Sequence, residues 1–113
     1  MTGYFELKKS ASSGEFMFNL KAGNHEVILT SEMYKARKSA EDGIASVQTN
    51  VALDDRFERK TSKRGEPYFN LKAANGQVIG TSEMYSSTSA MEGGVTSVKT
   101  NGLSHVVKDM TTA

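Results

Sequence analysis

The chain reads as a small α+β domain built from two tandem copies of one hairpin-plus-helix unit, closed on each other. Three observations predict this. The first is an ungapped internal repeat: Gly14 to Asn50 laid over Gly65 to Asn101 matches identically at 21 of 37 positions. The second is a change of apolar period within each copy, from two to about 3.6 residues. The third is length: 113 residues are the usual size of one domain, which buries roughly 60–70% of its unfolded surface. A repeat of about 50 residues lies near the lower limit for folding alone, and the chain has no cysteine to staple it. Residues 1–53 and 54–113 are therefore read as two repeats that need each other, within one domain spanning 1–113.

The best matching blocks are Phe18-Asn19-Leu20-Lys21-Ala22 against Phe69-Asn70-Leu71-Lys72-Ala73, and Thr30-Ser31-Glu32-Met33-Tyr34 against Thr81-Ser82-Glu83-Met84-Tyr85. Upstream, Phe5-Glu6 pairs with Phe57-Glu58, with one extra residue in the first turn. A first strand is expected over Tyr4 to Lys9, and over Phe57 to Thr61 in the second copy. It is followed by a turn at Ser12-Ser13-Gly14 or Lys63-Arg64-Gly65. In the next strand Phe16, Phe18, Leu20 and Ala22 alternate with Met17, Asn19 and Lys21, the period of a half-buried strand. Phe69, Leu71 and Ala73 alternate in the same way with Tyr68, Asn70 and Lys72. Pro67 lacks an N–H and suits a strand start or an edge.

Asn75-Gly76 favours a two-residue type I′ turn into a third strand, Gln77 to Thr81. His25 stands where the second copy has that glycine, so the residues fix the first turn less firmly. After Tyr34 and Tyr85 the spacing becomes helical, through Ala40, Ile44, Val47 and Val51, and through Met91, Val95 and Val98. Ser39 with Asp42, and Ser89 with Glu92, have capping-box spacing; Asn50 and Asn101 are expected helix stops. Gly43 and Gly94 fall inside the helices, where close approach to the sheet would explain them, since glycine there costs about 1 kcal/mol relative to alanine. A last strand is expected over Ser104 to Lys108, Leu53 to Arg56 holds the matching place after the first helix, and Asp109 to Ala113 is expected to fray.

Fourteen basic and thirteen acidic side chains give a net charge of +1, without the basic excess of a typical nucleic-acid or membrane-surface protein. The absence of cysteine removes thiolate metal sites and a Cys nucleophile, and fits a reducing, cytoplasmic setting. No basic stretch precedes an apolar run near Met1, and no apolar run is long enough to span a bilayer. No membrane association is expected, and a monomer is expected because two copies already satisfy each other.

The sequence Phe-Glu-Leu, Phe-Asn-Leu-Lys-Ala, Ser-Glu-Met-Tyr and Gly-Ile-x-Ser-Val-x-x-Asn resembles the YegP-like family of small uncharacterised bacterial proteins, across nearly the whole chain. The resemblance implies β-β-β-α-β units sharing a single antiparallel sheet, with both helices on one face and C-terminal strands exchanged between repeats. It implies no activity, and the mild departures, chiefly Gly94-Val95 for Gly-Ile, leave the pattern intact.

Candidate chemistry is sparse. The repeated junctions carry Glu32, Tyr34, Glu83 and Tyr85, and two carboxylates can do acid–base work at a suitable separation. The same residue types serve a structural end, since Ser, Thr and Glu satisfy free backbone donors while Met and Tyr can fill the seam between sheet and helix. His25 is expected in a turn and His105 in a strand, neither near other metal-ligand side chains, so no metal, cofactor or catalytic residue is assigned. No nucleophile elbow or phosphate-cradling glycine loop is present.

The open sheet face is the better binding candidate, through Asn19, Lys21, Tyr68, Asn70 and Lys72, flanked by Arg56, Arg59, Lys60, Lys63 and Arg64. Aromatic, amide and basic groups of this kind can stack and follow single-stranded nucleic acid, although a solvated antiparallel face must show polar groups anyway. The leading expectation is a non-enzymatic binding or interaction module of unknown partner. Single-stranded nucleic-acid binding is the alternative, and a small-ligand protein or enzyme built on the Ser-Glu-Met-Tyr junctions is the second.

Overall fold

The computed structural model describes residues 3–111. Its elements are β1 (Tyr4–Lys9), β2 (Phe16–Lys21), β3 (Val27–Ser31), α1 (Arg37–Asn50), β4 (Phe57–Thr61), β5 (Pro67–Lys72), β6 (Val78–Thr81), α2 (Thr88–Asn101) and β7 (Val107–Asp109). The strands form one sheet in the order β4-β5-β6-β3-β2-β1-β7. Each repeat contributes a three-stranded meander, and the two meanders join antiparallel through β3 and β6, where Thr30 stands opposite Thr81. Both helices cover one face.

The alternation of β2 places Phe18 and Leu20 inward, each fully buried, as are Phe69 and Leu71 of β5. They join Phe5, Leu29, Val47 and Val51 of the first repeat, and Phe57, Ile79, Val95 and Val98 of the second, in one apolar cluster. Each helix also crosses the seam: α1 touches β5 and β6, and α2 touches β2 and β3. The interior therefore belongs to both repeats.

The turns follow the sequence with one change of type. The Gly76 amide donates to the Ala73 carbonyl and the Ala73 amide to the Gln77 carbonyl, which is a three-residue loop closed by a left-handed residue, not a two-residue turn. His25 adopts the same left-handed geometry as Gly76, with φ of 71° against 84°. Its Nδ1 lies 2.8 Å from the Tyr4 hydroxyl, a contact that helps hold a non-glycine residue in this region.

Several expectations need correction. Leu53–Arg56 is no strand: Asp54–Arg56 is a short 3-10 helix, tied by Arg56 Nε donating to Asn50 Oδ1 at 3.0 Å, and the chain passes directly into β4. Exchange therefore runs one way, with β7 of the second repeat lying on β1 of the first. That pairing is parallel, so the sheet is mixed, with only its β7 edge departing from antiparallel order. The helices begin earlier than the capping-box spacing implies: α1 follows Ala36, which makes no side-chain cap, and α2 follows Ser87, whose hydroxyl accepts from the Ala90 amide. His105 lies in the loop before β7.

The expected fraying of the tail also changes. Asp109 closes β7 and Thr111 hydrogen-bonds to it, while Thr112 and Ala113 lie outside the described residues. Pro67 opens β5 as expected.

Candidate functional site

The polar face of the sheet is organised by register. Reading across the strands, Lys108, Glu6, Asn19, Thr30, Thr81, Asn70 and Glu58 stand in successive cross-strand partnership. The row is symmetric about the Thr30–Thr81 pair, because Asn19 and Asn70, and Glu6 and Glu58, are repeat equivalents. Asn19 Nδ2 donates to Thr30 Oγ1 at 3.0 Å, and Thr81 Oγ1 donates to Asn70 Oδ1 at 2.8 Å. Asn19 is only 6% exposed, which limits it to a structural part in the row.

The lysines of this face are already engaged. Lys21 lies 3.1 Å from Glu6 and Lys8 lies 3.5 Å from it; Lys72 and Lys60 lie 3.1 Å and 3.9 Å from Glu58. The Glu58 carboxyl is held below its ordinary value chiefly by the Lys72 hydrogen bond. Burial raises the Glu6 carboxyl, but hydrogen bonding and charge from Lys21 and Lys8 outweigh it, and the net direction is down. The sequence signal for this was present: Glu6 with Lys8, and Glu58 with Lys60, are two residues apart and share a strand face.

Of the face candidates, the structure gathers Tyr68 and Asn70 into a depression of about 490 Å³, lined also by Val78, Thr81, Met84, Glu32 and Lys63. Asn19, Lys21 and Lys72 stand outside it. The flanking basic residues disperse: Arg59 binds Glu92 and Asp54, Arg56 binds Asn50 and Asp55, and Lys63 reaches the depression. The seam-filling part expected of the methionines is not theirs, since Met84 is 47% exposed and Met33 is 46% exposed. The strand ends before each methionine, which turns outward.

The repeated Thr-Ser-Glu-Met-Tyr junction divides into distinct parts. Ser31 Oγ accepts from the buried Phe18 amide at 2.8 Å and donates to the Glu32 carbonyl. Ser82 does the same for the Phe69 amide and the Glu83 carbonyl. Tyr34 stacks on Phe18 with ring centroids 6.4 Å apart, and Tyr85 stacks likewise on Phe69. Burial, then the charge of Glu32 or Glu83, pushes each phenol up, which keeps both neutral.

Glu32 and Glu83 are exposed and do not form a pair. The Glu32 amide donates to the Ile79 carbonyl, four residues before Glu83 on the facing chain, and Glu83 lines neither of the depressions that Glu32 lines. Glu32 and Tyr34 instead edge a separate open cleft of about 470 Å³ between α1 and the β5–β6 hairpin. Among the described residues no group of three or more His, Cys, Asp or Glu is placed to hold a metal, and no helix is long and apolar enough to cross a membrane.

Fold and face together define a duplicated two-layer α+β scaffold whose outer sheet surface is a hydrogen-bonded polar row. The family model described as a domain of unknown function, DUF1508, matches twice, at residues 11–58 and 62–109. The chain belongs to this family, whose function is unknown. It is 56% identical over 111 residues to UPF0339 protein YegP of Escherichia coli K12, covering 98% of this chain and 100% of that one. It is 57% identical over 113 residues to a UPF0339 protein of Bordetella pertussis, covering both chains fully. The solution NMR structure of yegP from E. coli, described as a protein of unknown function, superposes with a TM-score of 0.94 at 54% identity, covering 100% of this chain and 97% of that one. That of a UPF0339 protein from Shewanella oneidensis gives 0.92 at 53%, covering 98% and 93%.

Proposed function

We propose that the protein is a non-enzymatic interaction module that meets a protein partner with the second-repeat half of its outer sheet face. The observation that carries this reading is the depression beside the polar row, where Tyr68, Val78 and the exposed Met84 adjoin the amide of Asn70 and the hydroxyl of Thr81. A thioether and a ring beside a few hydrogen-bonding groups suit an apolar anchor on another protein. The absence of cysteine is in keeping with work in the cytoplasm.

Single-stranded nucleic acid is the less favoured partner. Lys8, Lys21, Lys60 and Lys72 share two glutamates, and Tyr68 is the more open ring, because Tyr4 is 7% exposed and has Lys108 Nζ 4.2 Å from its centroid. The enzyme reading is weakened because Glu32 and Glu83 share no cleft and because both phenols stay neutral.

Affinity capture from the source cell with the full chain, repeated with Tyr68→Ala and Met84→Lys, tests the proposal. A specific protein lost from both variants but kept by Glu41→Gln, on the exposed side of α1, is the expected result. Retention of every partner by both variants contradicts it. A steeply salt-dependent affinity for single strands would replace the protein partner with nucleic acid.

A further inference from the structure

The local two-fold relation between the repeats brings two unequal pairs of equivalent residues to its axis. The axis passes between Thr30 and Thr81, which occupy the same place in their repeats and face each other across β3 and β6. Beside them, on the core side, stand Leu29 and Gly80, also repeat equivalents. At the ends of the two helices stand a second equivalent pair, Val51 and Gly102. In both pairs the large side chain belongs to the first repeat and the glycine to the second. A Cβ added to Gly80 would lie 2.9 Å from Leu29 Cγ and 3.0 Å from the Thr30 carbonyl oxygen, and one added to Gly102 would lie 2.6 Å from Val51 Cγ1 and 2.7 Å from the Val98 carbonyl oxygen. Leu29 and Val51 are both fully buried, so neither has open space into which to withdraw.

We infer that this seam is a heterospecific interface: each repeat fits the other and rejects a copy of itself. Two first-repeat surfaces brought together would put leucine on leucine and valine on valine, in axial space that holds one side chain of each kind. Close-packed interiors do not absorb such an excess without displacing their neighbours. Two second-repeat surfaces would leave a hole at both positions, and each hole forfeits contacts that the native pair makes. The rejection works by clash in one direction and by cavity in the other, and a penalty on both wrong pairings is what discrimination between near-identical partners requires. A single-repeat chain could enter the seam beside the first repeat only with small residues at both axial positions.

The test uses the full chain and the melting midpoint of three variants. Leu29→Gly and Gly80→Leu are each expected to lower the midpoint by on the order of 10 °C. The combined Leu29→Gly/Gly80→Leu variant moves the large residue to the other repeat, and is expected to recover the part of the Gly80→Leu loss that Leu29 causes, leaving the part due to the Thr30 carbonyl. Losses that simply add overturn the inference. Because Gly80→Leu alone can fail to fold, the corresponding cycle with Val51→Gly and Gly102→Val supplies an independent reading, and additive losses there count equally against it. Filling both positions, with Gly80→Leu and Gly102→Val, is expected to abolish the native cooperative melt. A monomer with an unshifted midpoint overturns the inference as well.

Discussion

The hydroxyl of Tyr34 occupies the space that a side chain on Gly43 would need: a Cβ there would stand 2.6 Å from the phenol oxygen and 2.9 Å from Phe18 Cε2. The Tyr85 hydroxyl meets Gly94 in the same way. Alanine is the better helix former by about 1 kcal/mol, so on propensity alone Gly43→Ala should stabilise α1. We predict the opposite, a net loss of about 1–3 kcal/mol from overpacking, measured by urea unfolding. Adding Tyr34→Phe should restore part of it, since one of the two close contacts goes.

Ser31 and Ser82 carry the structural part of the junction. Replacing Ser31 by alanine leaves the Phe18 amide without its acceptor in a buried strand, at a cost of about 1–3 kcal/mol. Glu32→Gln, on an exposed side chain, should change stability by no more than about 0.5 kcal/mol. Equal losses in the two variants would contradict this division.

Leu7 and Arg59 hold the same place on β1 and β4 but face different edges. Leu7 is 1% exposed and its carbonyl accepts from the Met110 amide beside β7, whereas β4 has no outer neighbour among the described residues and carries Arg59, bound to Glu92 at 2.8 Å. A charged side chain on an open edge discourages pairing with another chain. Removing the residues after His105 should uncover β1 and produce concentration-dependent association in light scattering, while the intact chain stays monomeric. Arg59→Leu should associate in the same way through the other edge.

Acid should loosen both edges. Hydrogen bonds from Thr111, then Arg37, hold the Asp109 carboxyl at about 2, and hydrogen bonds from Arg59, then Lys99, hold Asp54 at about 2. A carboxylate whose folded pKa is depressed adds stability that is full above its unfolded value, near 3.9, and is lost as the pH falls through its folded value. The melting midpoint should therefore drop between about pH 4 and pH 2, and Asp54→Asn/Asp109→Asn should flatten that slope.

Much of the fold was legible because its signals are local. The alternation of Phe18 and Leu20 with Asn19 and Lys21 marks a half-buried strand wherever it pairs, and Asn50 and Asn101 end their helices as expected. The one-way exchange was not legible: β7 finds its place through a distant parallel partner, and the residues matching it after α1 are consumed by the 3-10 turn into β4. The helix starts were misplaced because Ser39 and Ser89 have cap spacing, while α2 is capped two residues earlier by Ser87 and α1 follows Ala36, which offers no side-chain cap to read. In the candidate site, Tyr68 and Asn70 were found by strand period. Met84 was missed because the end of β6, which frees it to turn outward, leaves no period to read. Gly80 and Gly102 take their meaning only from equivalents 51 residues away, a relation visible once the axis is known.

The most direct test of the shared interior is to cut the chain after Leu53 and follow thermal unfolding of the piece by circular dichroism and sedimentation. Without Phe69, Leu71, Val95 and Val98 against its sheet and helix, and with Leu29 and Val51 barring self-pairing, it should show no cooperative transition at any concentration. It should regain one when residues 54–113 are added. A monomeric piece that melts cooperatively by itself would contradict the account.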